Sequence, residues 1–323
     1  MIPDSMLDHI KNSRRVLIAS HTQPDGDAIG SMLSLGLALQ FLGKGTTLYN
    51  ESPTPAIFRF LPSVNQIEDR VGELGQYDLA IVLDCSDIQR IGKLGDTIDQ
   101  IPVVLNIDHH VTNTQFGTCA HVDSHACATA EIVYNIITAL GAPIDASMAM
   151  AIYTAILTDT GSFLFQNTNS AAFSISSEMV EKGADPYTVA QSVYATYSLG
   201  RLKLLNMVLD SIDISENGKL SIMFLSQKMM AETGTQLEDI YGLVNYAKHI
   251  EDVQVAALIR ETHVGKGGKG TYHVSLRSSG EVDVSIIAAS LGGGGHHGAA
   301  GFKLENVSLT DVKRSIFSLA ESL

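Results

Sequence analysis

The stretch RRVLIASHTQPDGDAIGS, residues 14–31, decides the fold. Its first part, about residues 15 to 20, is a short apolar run that ends at a turn, the pattern of a buried strand. Its last residues open AIGSMLSLGLALQFLG, which keeps helical spacing and ends in glycine. Between them lies a turn holding His21, Asp25 and Asp27. In open α/β sheets, ligands bind at the carboxyl ends of strands. Acids and an imidazole at that position therefore carry both a fold and a site.

The same pattern recurs downstream. YDLAIVLDC reads as a second strand and IPVVLNID as a third, ending at Asp84 and at Asp108, His109 and His110. Helical stretches follow over Ala130–Leu140, Ala146–Leu157 and Ser170–Lys182, with Asp159 closing an apolar segment. Strands alternating with helices predict a parallel α/β sheet. A helical run over residues 186–210 then links residues 1–185 to a smaller α/β domain, residues 211–323. In it, GKLSIMFLS, VQVAALIRET and YHVSLRSS read as strands, LEDIYGLVNYAKHI and VDVSIIAASL as helices, and THVGKGGKGT as a hairpin loop. The glycine run LGGGGHHGAAGF lies between the second helix and a strand GFKL, with a closing helix after it. That order predicts a mixed sheet.

An aspartate after a strand often caps the next helix. Repetition at three strand ends argues for a ligand set instead. Four carboxylates about 5 Å apart repel by roughly 3 kcal/mol per pair at an effective dielectric near 20, on the order of 20 kcal/mol in all. Divalent cations relieve that directly. Oxygen and imidazole ligands without thiolate suit Mn²⁺ or Mg²⁺ better than structural zinc. The inventory is too large for one Mg²⁺ and fits two metals sharing an aspartate, a layout that activates water and stabilises phosphoryl charge. His121, His125 and Cys127 have a tempting spacing but no fourth ligand, and read as local structure.

HTQPDGDAIGS, the strand ending at Asp84 and DHH at residues 108–110 resemble the DHH phosphoesterase superfamily. GGGGHHGAAG resembles the glycine-rich motif of its companion DHHA1 domain. Order and spacing match along nearly the whole chain, and its length is similar to that of the nanoRNase/pAp phosphatase type. The resemblance implies that His21, Asp25 and Asp84 hold one Mn²⁺, and that Asp27, Asp84, His109 and Asp159 hold the second. His110 would sit beside the substrate phosphate, with Asp108 orienting a histidine. Arg90 lies within reach of a phosphate or at the surface. Arg277, Gly293, Gly294, Gly295, His296 and His297 would grip the nucleotide, and which of the two histidines touches it is left open.

The implied activity is hydrolysis of short oligoribonucleotides to mononucleotides and of 3′-phosphoadenosine-5′-phosphate (pAp) to AMP and phosphate. A phosphodiesterase acting on c-di-AMP or pApA is the near alternative, and a non-catalytic nucleotide sensor the distant one. Inorganic pyrophosphatase fits the glycine-rich motif less well. The net charge of −14 opposes binding to long nucleic acid. No apolar run is long enough for a membrane span, and the N-terminus reads as an amphipathic helix rather than a signal peptide. Three cysteines, Cys85, Cys119 and Cys127, fit a reducing cytoplasm. A homodimer is left open.

Overall fold

A computed structural model describes residues 2–195, 197–265, 268–278, 280 and 282–323, apart from the side chains of His296, Glu321 and Ser322. The chain forms two compact units, residues 1–196 and 197–323.

The N-terminal unit holds α1 (Asp4–Asn12), β1 (Arg15–Ser20), α2 (Gly26–Phe41), β2 (Gly45–Tyr49), β3 (Ile67–Glu68), β4 (Leu79–Leu83), β5 (Val104–Asp108), β6 (Cys119–Val122), α3 (Thr129–Ala139), α4 (Ala146–Asp159), α5 (Ser170–Glu181) and α6 (Pro186–Ala190). Its sheet is parallel throughout, in the order β3-β2-β1-β4-β5-β6. The order reverses between β1 and β4, the switch point at whose carboxyl ends sheets of this kind bind ligands. The alternation of strand side chains divides the core. Val16, Ile18, Ile81 and Leu105 face the helices, while Leu17, Ala80, Val82 and Val104 face short 3₁₀ turns bearing Ile91, Leu94 and Ile98.

β2, β3 and β6 are additions to the three strands read from sequence. β6 is half-buried along its length and β3 spans only two residues, so neither carries a continuous apolar run. The helical run from residue 186 is also interrupted: α6 passes into a single π turn, Gln191–Ala195, and a new helix starts at Leu199.

α2 and α4 pack unusually closely. A Cβ built at Gly30 would lie 2.4 Å from the Ala151 carbonyl oxygen, and one at Gly26 would lie 2.2 Å from Thr158 Oγ1. Glycine at position 30 lets the helices approach backbone to backbone, and glycine at position 26 makes room for the Thr158 side chain. The contact at Gly26 sets the start of α2, with Asp25 and Asp27, against the end of α4, with Asp159.

The C-terminal unit holds α7 (Leu199–Leu209), β7 (Asp213–Ile214), β8 (Leu220–Leu225), α8 (Gln227–Thr233), α9 (Leu243–Lys248), β9 (Val255–Val264), β10 (Lys269–Ser278), α10 (Val284–Ser290), β11 (Gly294–His296), β12 (Ala299–Ser308) and α11 (Leu309–Ser318). The sheet order is β11-β12-β10-β9-β8-β7, with β8–β9 parallel and the other pairs antiparallel. One face packs on α10 and α11 through Val284, Ala288, Val312 and Ile316. The other packs on α7 and α9 through Leu204, Val208, Leu243 and Ala247.

The glycine run differs from the sequence reading. Gly294–His296 is an edge strand, hairpin-paired with β12, rather than a loop. A Cβ at Gly293 would fall 2.0 Å from the Gly301 carbonyl, and Gly295 has φ +145° with the Ala299 carbonyl 2.4 Å from a built Cβ. These glycines serve close strand approach. The loop read at residues 262–271 is shorter, because β9 runs to Val264 and β10 starts at Lys269; Lys266 and Gly267 lie outside the described residues.

Candidate metal centre

Five elements, β1, α2, β4, β5 and α4, deliver side chains to the switch point. β1 ends just before His21, which is buried, and its Nδ1 lies 2.8 Å from the Thr22 carbonyl. A carbonyl only accepts, so Nδ1 carries the hydrogen and Nε2 turns to the carboxylates, 3.5 Å from Asp84 Oδ2 and 4.0 Å from Asp25 Oδ1. His109, just past β5, repeats the arrangement: Nδ1 is 3.2 Å from the Ala126 carbonyl. Its Nε2 faces Asp159 Oδ2 at 3.5 Å and both Asp27 Oδ2 and Asp84 Oδ1 at 3.8 Å. Anchoring one ring nitrogen so that the other points into an acid cluster is the usual presentation of a metal-binding histidine.

Asp84 stands between the two histidines, one carboxylate oxygen toward each. It adopts φ +52°, the left-handed region that non-glycine residues occupy at some cost. Potential ligand atoms converge within 4.8 Å in the sets His21–Asp25–Asp84, Asp27–His109–Asp159 and Asp84–His109–His110. In the last set His110 Nδ1 is already bonded to Asp108 Oδ1 at 2.7 Å.

The capping role and the site role coincide. Asp25 is the N-cap of α2, accepting from the Asp27 and Ala28 amides. Asp27 caps a different helix. Its Oδ2 accepts from the Thr129 amide at 2.6 Å and its Oδ1 from the Ala130 amide at 3.0 Å, at the start of α3. The helix dipole there favours the carboxylate form.

Electrostatics show the strain of this gathering. Burial pushes the Asp159 carboxyl up to about 7. Burial, reinforced by Asp84 and Asp159, holds Asp27 well above the carboxylate range. Burial alone would lower His109, but Asp159, Asp27 and Asp84 together raise it to about 10. His21 is raised too, its hydrogen bond to Asp84 and the charge of Asp25 outweighing burial. Asp84 moves the other way, held low by the three histidines against its burial. Such a set suits divalent cations, which replace the protons and neutralise the acids together.

Sequence reasoning missed the supporting polar residues. Asn113 donates to Asp108 Oδ2 at 2.6 Å and so fixes the Asp108–His110 pair. Asn167 donates to Asp159 Oδ2 at 3.1 Å and to the Cys127 carbonyl. Thr129 Oγ1 donates to Asp84 Oδ1 at 3.2 Å. Asn113 stands three residues after the DHH run and was within reach of inspection; Asn167 and Thr129 carry no local signal. Arg90 is exposed, donates to Ser86 Oγ at 3.3 Å, and lies near enough to oppose protonation of His21.

The remaining expected residues belong to the C-terminal unit. Arg277 lies on β10 and donates to the Leu276 carbonyl. His297 is exposed in the β11–β12 turn, where its carbonyl accepts from the Val284 amide. His296 lies in β11, and its side chain is outside the described set.

A parallel sheet with carboxylates and imidazoles gathered at its switch point defines the class of metal-dependent α/β phosphoesterases. Residues 15–156 match the DHH family, N-terminal domain, and residues 218–322 match the DHHA1 domain. The chain is 34% identical over 309 residues to the bifunctional oligoribonuclease and PAP phosphatase NrnA of Thermus thermophilus, covering 95% of this chain and 90% of the relative. It is 25% identical to the cyclic-di-AMP phosphodiesterase GdpP of Geobacillus thermodenitrificans, over 98% of this chain and 48% of that one. The crystal structure of an exopolyphosphatase-related protein from Bacteroides fragilis has a TM-score of 0.88 at 27% identity, covering 98% of this chain and 95% of that one. The chain belongs to the DHH family and is an enzyme that hydrolyses phosphoester bonds.

Proposed function

We propose that this enzyme hydrolyses short oligoribonucleotides to mononucleotides and pAp to AMP and phosphate, using two divalent cations, Mn²⁺ foremost. The observation that carries the reading is Asp84, with one oxygen toward His21 and the other toward His109. His21, Asp25 and Asp84 would hold one ion; Asp27, Asp84, His109 and Asp159 the other. Bound there, the pair supplies activated water and charge stabilisation at phosphorus. The chain does the rest. Asp108 accepts from His110 Nδ1, which fixes the ring so that its Nε2 would face the substrate phosphate. Asn113 keeps Asp108 from turning away. Arg90, beside the same strand ends, would meet a further phosphate oxygen. Arg277, His296, His297 and the backbone of Gly293–Gly295 would bind the nucleotide. The NrnA name of the Thermus relative supports these substrates.

A second reading, cleavage of c-di-AMP or pApA, uses the same centre and draws on the GdpP relative. Pure protein with Mn²⁺ should be offered pAp, RNA of a few nucleotides, c-di-AMP and pyrophosphate, and the products separated by chromatography. Turnover of pAp and short RNA supports the first reading, and turnover of the cyclic dinucleotide alone supports the second. No product from any of them, with metal bound, would leave a nucleotide sensor. Asp84→Ala should abolish pAp and RNA hydrolysis together, because both ion sites lose a ligand. Survival of either activity would refute the shared-carboxylate arrangement.

A further inference from the structure

The connection between β6 and α3 breaks an ordinary rule of helix starts. Alanine is a poor N-cap, yet Ala128 holds that position of α3 and makes no side-chain cap. The amides of Thr129 and Ala130 are taken instead by Asp27, at 2.6 Å and 3.0 Å. Residues 126–130 are all buried and their side chains are small, so the backbone itself lies against its neighbours. The Ala126 carbonyl accepts from His109 Nδ1 at 3.2 Å. The Cys127 carbonyl accepts from Asn167 Nδ2 at 2.8 Å, and the same nitrogen donates to Asp159 Oδ2 at 3.1 Å. Thr129 Oγ1 donates to Asp84 Oδ1, the oxygen on the His109 side. One turn therefore meets Asp27, Asp84 and His109 directly, and Asp159 through Asn167.

Glu131, in the first turn of α3, holds this turn in place. Its Oε2 accepts from the Cys127 amide at 2.8 Å and from Asn169 Nδ2 at 3.1 Å. Asn169 also donates to the His125 carbonyl at 3.0 Å and caps α5 by accepting from the Ala172 amide. The Cys127 N–H and the Ala126 C=O belong to a single planar peptide. Glu131 thus grips one edge of the peptide whose other edge receives the His109 hydrogen. A carboxylate pulling on the N–H polarises the peptide and makes its oxygen a better acceptor. That keeps the hydrogen on Nδ1 and leaves His109 Nε2 toward the acids. The set His21–Asp25–Asp84 is supported elsewhere: Asn50 Nδ2 donates to the His21 carbonyl at 2.9 Å, and Asp25 caps α2.

We propose that Glu131 is a positioning residue for the second ion, acting on His109 through the peptide between Ala126 and Cys127. The relay runs from carboxylate to peptide to imidazole, and it aims the ring without Glu131 touching a cation. The first ion lies outside it. The proposal deepens the two-ion reading above and rests on it.

Calorimetric titration of the full-length protein with Mn²⁺ reads the two ions separately. In Glu131→Ala the affinity for one ion should fall about tenfold while the other stays within about twofold. Glu131→Gln keeps an acceptor oxygen without the charge and should lose about threefold, which keeps the test readable if Glu131→Ala does not fold. Glu181→Gln, an exposed carboxylate at the end of α5, should change neither ion. Unchanged binding of both ions in both Glu131 variants, or equal loss of both, overturns the proposal; equal loss is what a merely structural role would give. A second measurement needs no ion. In the metal-free protein the His109 Nδ1 proton, assigned by its disappearance in His109→Ala, should exchange with solvent about tenfold faster in Glu131→Ala, followed by NMR. If the unaltered protein holds fewer than two ions, the two-ion reading fails on its own. The relay then stands on faster Nδ1 exchange and falls if exchange is unchanged.

Discussion

The contact between α2 and α4 makes Gly30→Ala an informative change. A new Cβ would sit 2.4 Å from the Ala151 carbonyl oxygen and 2.8 Å from Ala155 Cβ. Ordinary contact needs about 3.2 Å to oxygen, so the helices must separate by roughly 0.8 Å. Both obstacles belong to the backbone or to a rigid methyl, so no rotamer absorbs the shift. Replacing a mid-helix glycine gains about 1 kcal/mol of helix propensity, and overpacking costs about 1–3 kcal/mol. Net destabilisation should therefore be at most about 2 kcal/mol, a small change in Tm. The metal centre should suffer more. Asp27 stands in the first turn of α2 and Asp159 ends α4, and they lie 3.8 Å and 3.5 Å from the same His109 nitrogen. Metal–ligand distances tolerate only about 0.2 Å, so affinity at the Asp27–His109–Asp159 set should drop on the order of 10- to 100-fold. Gly36→Ala is the control in the same helix. Its Cβ would meet Leu48 Cδ2 at 2.7 Å, the free end of a side chain that can turn aside. Calorimetric Mn²⁺ titration beside thermal melts reads both quantities. If Gly30→Ala binds metal like the unaltered protein, close helix approach does not set the ligand spacing.

Two further outcomes follow from the charges. Metal loading should release protons, because burial raises Asp159 to about 7 and the surrounding acids raise His109 to about 10, and a ligand must shed its proton to hold a cation. Because these raised groups give up protons as pH climbs, apparent metal affinity should increase from pH 6 to pH 8. Titrations in buffers of differing ionisation enthalpy measure this, and buffer-independent heats would contradict it. Thiol modification should also discriminate. Burial pushes Cys85 up to about 12 and Cys127 higher still, and both are inaccessible, whereas Cys119 is half-exposed. A thiol reagent at pH 8 should label Cys119 in the folded protein and the other two only after denaturation, as peptide mapping would show.

The centre was unusually legible because its ligands sit where local pattern changes. An apolar run stopping at His21, at Asp84 or at Asp108 announces a strand end, and a strand end in a parallel sheet is where side chains meet a ligand. β2, β3 and β6 were obscure for the converse reason: they are short or half-buried, and pairing with neighbours defines them. In the glycine run the residue types were informative but the conformation was not, since Gly294–His296 is a strand only through β12.

By itself, then, the sequence determined the two α/β units, the strand ends and the acid and imidazole inventory, all written in spacing over a few residues. Only the tertiary structure decided how that inventory is used. Asp27 reaches about a hundred residues along the chain to cap α3, Asn167 secures Asp159, and Gly26 and Gly30 bring α4 against α2. Arg260 and His273 come to lie opposite each other by strand register. All are set by packing and pairing that no local periodicity encodes.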